Sequence, residues 1–472
     1  MTAQSFKRSI INVQTFIFFA FFTIQGMADW TLLPHLGISE IYTDNVELAT
    51  HGQEEKEYIT QINPGFLLSG QGARSAVNLD YQIYGLKYAK NNDSDSVNQE
   101  ALLDSTYRIY DDNLFIDASG EYTKSIINAA ERHSLDSYFI SPNRTDTSTI
   151  QVSPYLRNAF NGGVLGEVRA RYGQVDYVDV DGLDSSTKEI SAHLNGRGVP
   201  GRLNWYFEYS DRNIKYENRQ EADFERFTGE LGFEVASRLT WLLISGYEDN
   251  TYQYSGNDYV SSDNFWRSGI RWTPTRRSSI EATTGERFFG KTYSFILAHH
   301  TRNTFWNVEY QEELQSSGFE RLEDLDENVV NSAGTQTETM TSLLTNDVFI
   351  SKGLLCNVRW QKSKTYIRLN LSRFVRDYQY DNNREIYFHR SIVWAWHILP
   401  RIESTIDYSV EDHEFSVPES KSQLKRIGVA LAYNLNARAS ASFQYNKNDY
   451  DGSEMHTDYQ ANSVILQFGM AF

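Results

Sequence analysis

From residue 29 to the C-terminus the sequence alternates apolar and polar side chains with a period of two. Val77, Leu79, Tyr81 and Ile83 stand against Asn78, Asp80, Gln82 and Tyr84; Ile190, Ala192 and Leu194 stand against Ser191, His193 and Asn195; Leu203, Trp205, Phe207 and Tyr209 stand against Asn204, Tyr206, Glu208 and Ser210. Successive side chains of a strand point to opposite faces, so each segment has one apolar and one polar face. A soluble sandwich alternates in the same way, and the joints between segments separate the two cases. Short joints fall near 70–74, 111–113, 161–163, 196–201, 236–238, 273–277, 299–303, 361–364, 399–401 and 434–436. Longer polar stretches fall between them, near 43–56, 91–97, 126–146, 178–185, 213–222, 249–261, 312–345, 379–384, 413–420 and 448–457. On that long side one joint is a tight turn instead, at Phe289-Gly290-Lys291. Short turns on one side and long loops on the other are the pattern of a transmembrane β-barrel. The joints predict an all-β fold, a single antiparallel barrel of about 22 strands (range roughly 18–24), each of ~10 residues, with both termini on the periplasmic side.

Composition narrows the alternatives. The chain has 472 residues, 62 acidic and 44 basic side chains and a net charge of −18, which disfavours nucleic acid as a partner. One cysteine, Cys356, excludes an internal disulfide framework and a cysteine-based zinc site. Residues 29–472 hold no run of ~18 apolar residues, so a helical membrane protein is excluded, whereas a barrel is not. Lys7 and Arg8, the apolar stretch Phe16–Phe22 and Gly26-Met27-Ala28 have the layout of a secretory signal peptide. The predicted domains are a signal peptide over 1–28 and a barrel over 29–472. At the other end Val464, Leu466, Phe468, Met470 and Phe472 alternate with small or polar residues. Phe468, Met470 and the terminal Phe472 are the expected assembly signal, read by the barrel-assembly machinery. The location expected is the outer membrane, with its lipid and lipopolysaccharide as surroundings.

Three stretches carry a family resemblance. They are Trp30, Pro34 and Glu40–Leu48 with Pro64-Gly65; Arg271–Arg277 with Gly285–Tyr293; and His299–Thr304 with Trp306. Together they resemble the outer-membrane β-barrel family associated with PEP-CTERM and exopolysaccharide systems. The resemblance implies a Gram-negative outer membrane and an exopolysaccharide-producing context, with polysaccharide and export-complex proteins as partners. It brings no reaction and no catalytic residue. The same blocks have a plain physical reading: Trp272-Thr273-Pro274 sets an interfacial Trp and a turn Pro, and Gly285 and Gly290 suit a bend or a close backbone approach.

No cofactor or metal site is expected. Asp179–Asp184 has spaced carboxylates and Gly182 but lacks the spacing and final Glu of a calcium loop. A hydrolase would need a His, a carboxylate and a nucleophile in mutual reach. His389, Ser391 and His397 on one strand, facing Glu403, Thr405 and Asp407 on the next, are the nearest approach to one; the expectation is nevertheless no enzyme. The informative set is charged. By alternation Arg108, Arg169, Arg171, Arg267, Arg271, Arg287, Arg368, Glu281, Glu403 and Asp407 fall on polar faces. A midplane Arg facing lipid costs ~2–4 kcal/mol, so these residues face the lumen. They either pair with one another across strands or line a conduit for sugar hydroxyls and uronates. The expected function is a polar-lumen barrel acting as conduit or accessory in exopolysaccharide export, with a structural scaffold of an export complex as the alternative. The stretch 312–345 is the expected lumen constriction, its acids Glu320, Glu323, Asp324, Asp326 and Glu327 folding against Arg287 and Arg368.

Overall fold

The computed structural model describes residues 29–472 except 161–162, 199–201, 220, 255–256, 332–343, 346, 381–382 and 453–457; the signal-peptide expectation for 1–28 lies outside the described residues. In chain order the strands are β1 (Asp29–Thr43), β2 (Glu57–Gln71), β3 (Ser75–Tyr88), β4 (Ser96–Tyr110), β5 (Leu114–Ile126), β6 (Arg144–Phe160), β7 (Val164–Tyr177), β8 (Ser185–Gly198), β9 (Leu203–Tyr216), β10 (Ala222–Ala236) and β11 (Leu239–Tyr254). They continue as β12 (Asn257–Thr275), β13 (Ser278–Arg287), β14 (Gly290–His300), β15 (Thr304–Ser316), β16 (Val348–Lys362), β17 (Thr365–Tyr378), β18 (Arg384–Leu399), β19 (Ile402–Ser416), β20 (Glu419–Asn434), β21 (Ala439–Gly452) and β22 (Tyr459–Ala471). One α-helix, α1 (Ser317–Asn331), lies between β15 and β16. Each strand pairs antiparallel with its sequence neighbours, and β1 pairs with β22 from His35↔Ala471 to Thr43↔Ser463, closing a 22-stranded barrel. Strand number, antiparallel order and turn parity therefore agree with the sequence reading.

Alternation sorts the side chains as expected. Outward positions include Ile38, Leu194, Phe207, Trp241, Trp266, Trp272, Trp306, Trp394, Trp396, Phe468, Met470 and Phe472, all exposed. An apolar exterior with interfacial tryptophans requires a bilayer, and closed antiparallel barrels of this kind reside in the outer membrane. The even strand count leaves both ends of the barrel, Asp29 of β1 and Ala471 of β22, on the short-turn, periplasmic side. Two glycines fix the wall where β12 and β13 meet. A Cβ on Gly269 would fall 1.9 Å from the Ala282 carbonyl oxygen, and one on Gly285 1.9 Å from that of Trp266. The tight turn after Arg287 is formed, and Gly290 has a φ of +107° there.

Strand length departs from expectation. Strands run from 10 to 19 residues, not a uniform ten or so. Of the stretches read as loops because they are polar, 249–261 and 413–420 are largely strand, with β11 and β12 pairing up to Tyr254↔Asn257 and β19 and β20 up to Ser416↔Glu419, and in 448–457 β21 runs to Gly452. Outside hydrocarbon the backbone ladder persists without an apolar face, so hydropathy loses track of it.

Sidedness follows from the parity. An epitope tag inserted at His51, in the loop between β1 and β2, is expected to label on intact cells, and one at Thr275 only after permeabilisation. Labelling at Thr275 on intact cells would invert the barrel.

Candidate functional site

The candidate site is the lumen, built from the inward residues of the wall and two segments that fold into its external end. The charged wall residues pair with one another. Arg169 Nη1 donates to Asp117 (3.0 Å) and its Nε to Glu167 (3.1 Å), while Arg157 holds the other oxygen of Glu167 (2.8 Å). Arg171 and Arg212 share Glu189 at 3.4 and 3.6 Å. Arg271 bridges Glu281 (2.7 Å) and Glu230 (3.3 Å). Arg287 is forked onto Glu248 (2.7 Å) and reaches Glu313 (3.0 Å), which Arg226 also contacts (3.1 Å). Arg267 lies on the same inward face, opposite Gly285. Arg368 donates to the Tyr366 hydroxyl (2.6 Å), Glu403 meets His397 (3.2 Å), and Arg108 binds Asp112 and the Ala73 carbonyl at a periplasmic turn. Of the two roles read from the sequence, cross-strand pairing is the one the geometry shows for Arg169, Arg171, Arg271 and Arg287.

Helix α1 is the first in-folded segment, where the sequence reading had an irregular stretch over 312–345. Ser316 accepts the Phe319 N–H (3.3 Å), an N-cap bond that turns the end of β15 into helix. Phe319, Leu322 and Leu325 recur on one face and are buried. Phe319 and Leu322 pack against Val175, Tyr177, Ile214, Tyr216 and Val348 of the wall. Gly173 leaves the slot for Leu322, since a Cβ there would lie 2.3 Å from Leu322 Cδ1. The expected acidic contacts are realised with other partners. Glu320 pairs with Arg376 (2.7 Å), which also holds Glu385 (3.3 Å), and Glu323 accepts from Gln315 (3.0 Å). Arg287 is taken by Glu248 and Glu313, and Arg368 lies eight residues from Arg376 on β17, ~26 Å along the strand. The side chains of Asp326 and Glu327 lie outside the described residues.

Residues 127–143 are the second segment, read from the sequence only as a long polar joint. Tyr138 and Phe139 enter a buried cluster with Ile41, Ile59, Leu86, Leu424 and Tyr450. The Tyr450 hydroxyl donates to the Ala130 carbonyl (2.8 Å), Tyr88 to the Tyr138 carbonyl (2.9 Å), and the Tyr138 hydroxyl meets Ser463 (2.7 Å). Asp136 pairs with Arg426 (3.3 Å). The Leu344 N–H bonds the Ile127 carbonyl (3.1 Å), and Ile127 packs against the cluster that holds Phe319 and Leu322 of α1. His133 packs edge-on to His413 (centroids 6.3 Å), and His413 bonds Glu411 (2.8 Å) and lies 3.7 Å from Glu385. A chain of polar contacts thus runs from 127–143 through the wall to α1.

The hydrolase constellation is dispersed by register. His389 lies opposite Glu411 and Val393 opposite Asp407, so His389 and Asp407 are offset by four residues, ~13 Å. Ser391 Oγ accepts from Asn370 (3.2 Å). In the 179–184 loop, Asp184 accepts the Tyr177 N–H (2.8 Å). Among the described residues no three metal-ligating side chains converge. Sequence reasoning passed over Arg376, Arg226, Glu248, Glu313, Glu385 and His413. Arg376 is in phase with Arg368 on β17 and was legible by alternation; Glu313 and His413 sat in stretches read as loop.

No protein-family model matches the chain, and no curated protein matches it. Among solved structures it is similar to the siderophore receptor PirA of Pseudomonas aeruginosa (8% identity, 93% of this chain and 80% of that one, TM-score 0.49). It is also similar to the ferric-catecholate import receptor Fiu of E. coli K12 (9%, 95% and 82%, 0.49) and the iron transporter FrpB of Neisseria meningitidis (9%, 94% and 83%, 0.49). At such identities the likeness concerns barrel architecture alone.

Two outcomes follow from the α1 contacts. Arg376→Met removes the cation shared by Glu320 and the buried Glu385, which keeps only His413 and the Tyr378 hydroxyl, and is expected to cost ~3–5 kcal/mol of local stability, against ~1 kcal/mol for Glu320→Gln. Proteolysis within 317–331, with the barrel still heat-modifiable on gels, is the readout. Burial pushes the Glu323 carboxyl up to about 7, opposed by Arg212 and Arg171 and reinforced by Glu320 and Glu189. A raised carboxyl favours the docked helix while protonated, so that contribution is complete below about 4.5 and is lost as pH rises through about 7. A spin label at position 321 is expected to gain mobility between pH 5 and 8, and Glu323→Gln to flatten that response.

Proposed function

We propose that this outer-membrane barrel is a gated conduit, or an accessory to one, in exopolysaccharide secretion. Its context is that of the PEP-CTERM-associated barrel family which the 30–65, 271–293 and 299–306 stretches resemble. The observation that carries the gating is the way 127–143 and α1 are held. Both occupy the external end of the lumen through side-chain contacts on the inner wall, so they can leave without breaking the barrel's backbone ladder. The periplasmic half keeps a cavity of about 490 Å³ at the β1–β22 closure, a vestibule for material arriving from the periplasm. Polysaccharide and the proteins that deliver it are the partners this reading requires.

The packed external end also supports a second reading, in which the barrel anchors an export complex and conducts nothing. One measurement separates them. Protein lacking residues 318–340, reconstituted in planar bilayers, is expected to show severalfold higher single-channel conductance than the full chain. Equal, negligible conductance in both, with the deletion still folded, leaves the scaffold reading.

A further inference from the structure

Among the described residues, those that line the periplasmic cavity form no ion pair. Gly37 of β1 faces Gly469 of β22 on one side and Asn63 of β2 on the other, and Gly65 sits opposite His35. These glycines all lie on the inward face. A Cβ on Gly65 would fall 2.5 Å from His35 Nε2, and one on Gly37 3.3 Å from the Asn63 Cβ. Gly65 makes room for the His35 ring, and the missing side chains of Gly37 and Gly469 leave the wall hollow along the closure seam. Around the hollow stand amides and a phenol: Gln61, Asn63, Gln82, Gln467 and Tyr84. Gln61 donates to Asn63 (2.9 Å), and the Tyr84 hydroxyl bonds Gln82 (2.8 Å) and Glu100 (3.0 Å), so the polar groups are pre-oriented by one another. Among the described residues no carboxylate lines the cavity, and the one guanidinium there, Arg438, belongs to the turn between β20 and β21.

We infer that this seam recess is a binding site for a neutral, hydroxyl-rich glycan segment; the inference rests on the conduit reading for its biological setting. A side-chain amide offers a donor and an acceptor in one plane, matching the paired donor and acceptor character of sugar hydroxyls. Tyr84 and His35 add flat faces for the C–H side of a pyranose. The cavity volume of about 490 Å³ falls within the ~300–1,000 Å³ of small-molecule sites. A polyuronate would need a cation for each acidic sugar. Within the recess Arg438 is the single cation, one for a whole segment, and Arg169, Arg171 and Arg271 of the wall are committed to Asp117, Glu167, Glu189, Glu230 and Glu281. The recess thus selects uncharged chains from acidic ones.

The test uses the full barrel in detergent, with maltohexaose and cellohexaose as neutral probes and a hexagalacturonate as the acidic one, titrated by saturation-transfer NMR and calorimetry. At least one neutral probe is expected to bind about tenfold tighter than the uronate, and Gln61→Ala/Gln82→Ala to weaken it about tenfold, the loss expected for two hydrogen bonds. Asn63→Ala, a single truncation at the same recess, provides a second variant should the double one fail to fold. Equal or tighter uronate binding, no binding of any probe, or neutral binding indifferent to these substitutions overturns the site. Failure of the site and failure of the conduit are distinct: binding with no conductance after loop removal keeps the recess and removes the channel, and conductance without binding does the reverse.

Discussion

The structure depends on a backbone that must satisfy every N–H and C=O without help from water. In hydrocarbon an unpaired sheet edge is excluded, so the ladder must close on itself, and here β1 meets β22 to do so. Closure then dictates the rest. Once each strand has neighbours on both sides, its side chains can go only outward into lipid or inward. The charged residues of the sequence are thereby confined to the lumen, where carboxylates and guanidiniums neutralise one another along the wall.

A wall of this circumference surrounds more space than its side chains fill. The chain fills the external end with its own residues, using two solutions of similar physics. Residues 127–143 contribute aromatic side chains and backbone carbonyls, the latter accepting from tyrosines of the wall. Helix α1 contributes a narrow apolar face and acids that meet wall cations. Neither segment belongs to the barrel ladder, so each is anchored by contacts that cost far less to break than the barrel itself, the condition for parts that open locally. Arg376 and His413 connect the two across the wall.

Architecture was legible in the sequence because it rests on periodicity and turn parity, both local. The strand number, the closure and the inward placement of residues such as Arg169, Arg271 and Glu281 all follow from alternation. Strand length was less legible. Above the bilayer β11, β12, β19 and β20 continue on backbone hydrogen bonds alone, and Asn250 or Ser261 reads as loop although the two are paired. The in-folding of 127–143 was missed because a long joint was equated with an exterior one; Tyr138-Phe139-Ile140 inside that polar stretch was the available signal. The constriction by 317–331 was anticipated, but its partners were not. Arg287 and Arg368 were chosen for charge, whereas distance along the strands decided for Arg376. The glycine recess depends on three strands brought together by closure, which no window of sequence displays.

The shortness of one hairpin has a consequence for how the molecule sits. β13 ends at Arg287 and β14 begins at Gly290, while β12 continues to Asn257 and β15 to Ser316. Above the hairpin tip those two neighbours keep a partner on one flank only, β11 for one and β16 for the other. Backbone groups left open on the other flank cannot be immersed in acyl chains. The last paired positions, Trp266↔Glu286 between β12 and β13 and Phe295↔Tyr310 between β14 and β15, therefore mark a waterline: lipid tails rise no higher there, and the rim of the barrel beyond it is a parapet notched at this hairpin, standing in the aqueous layer.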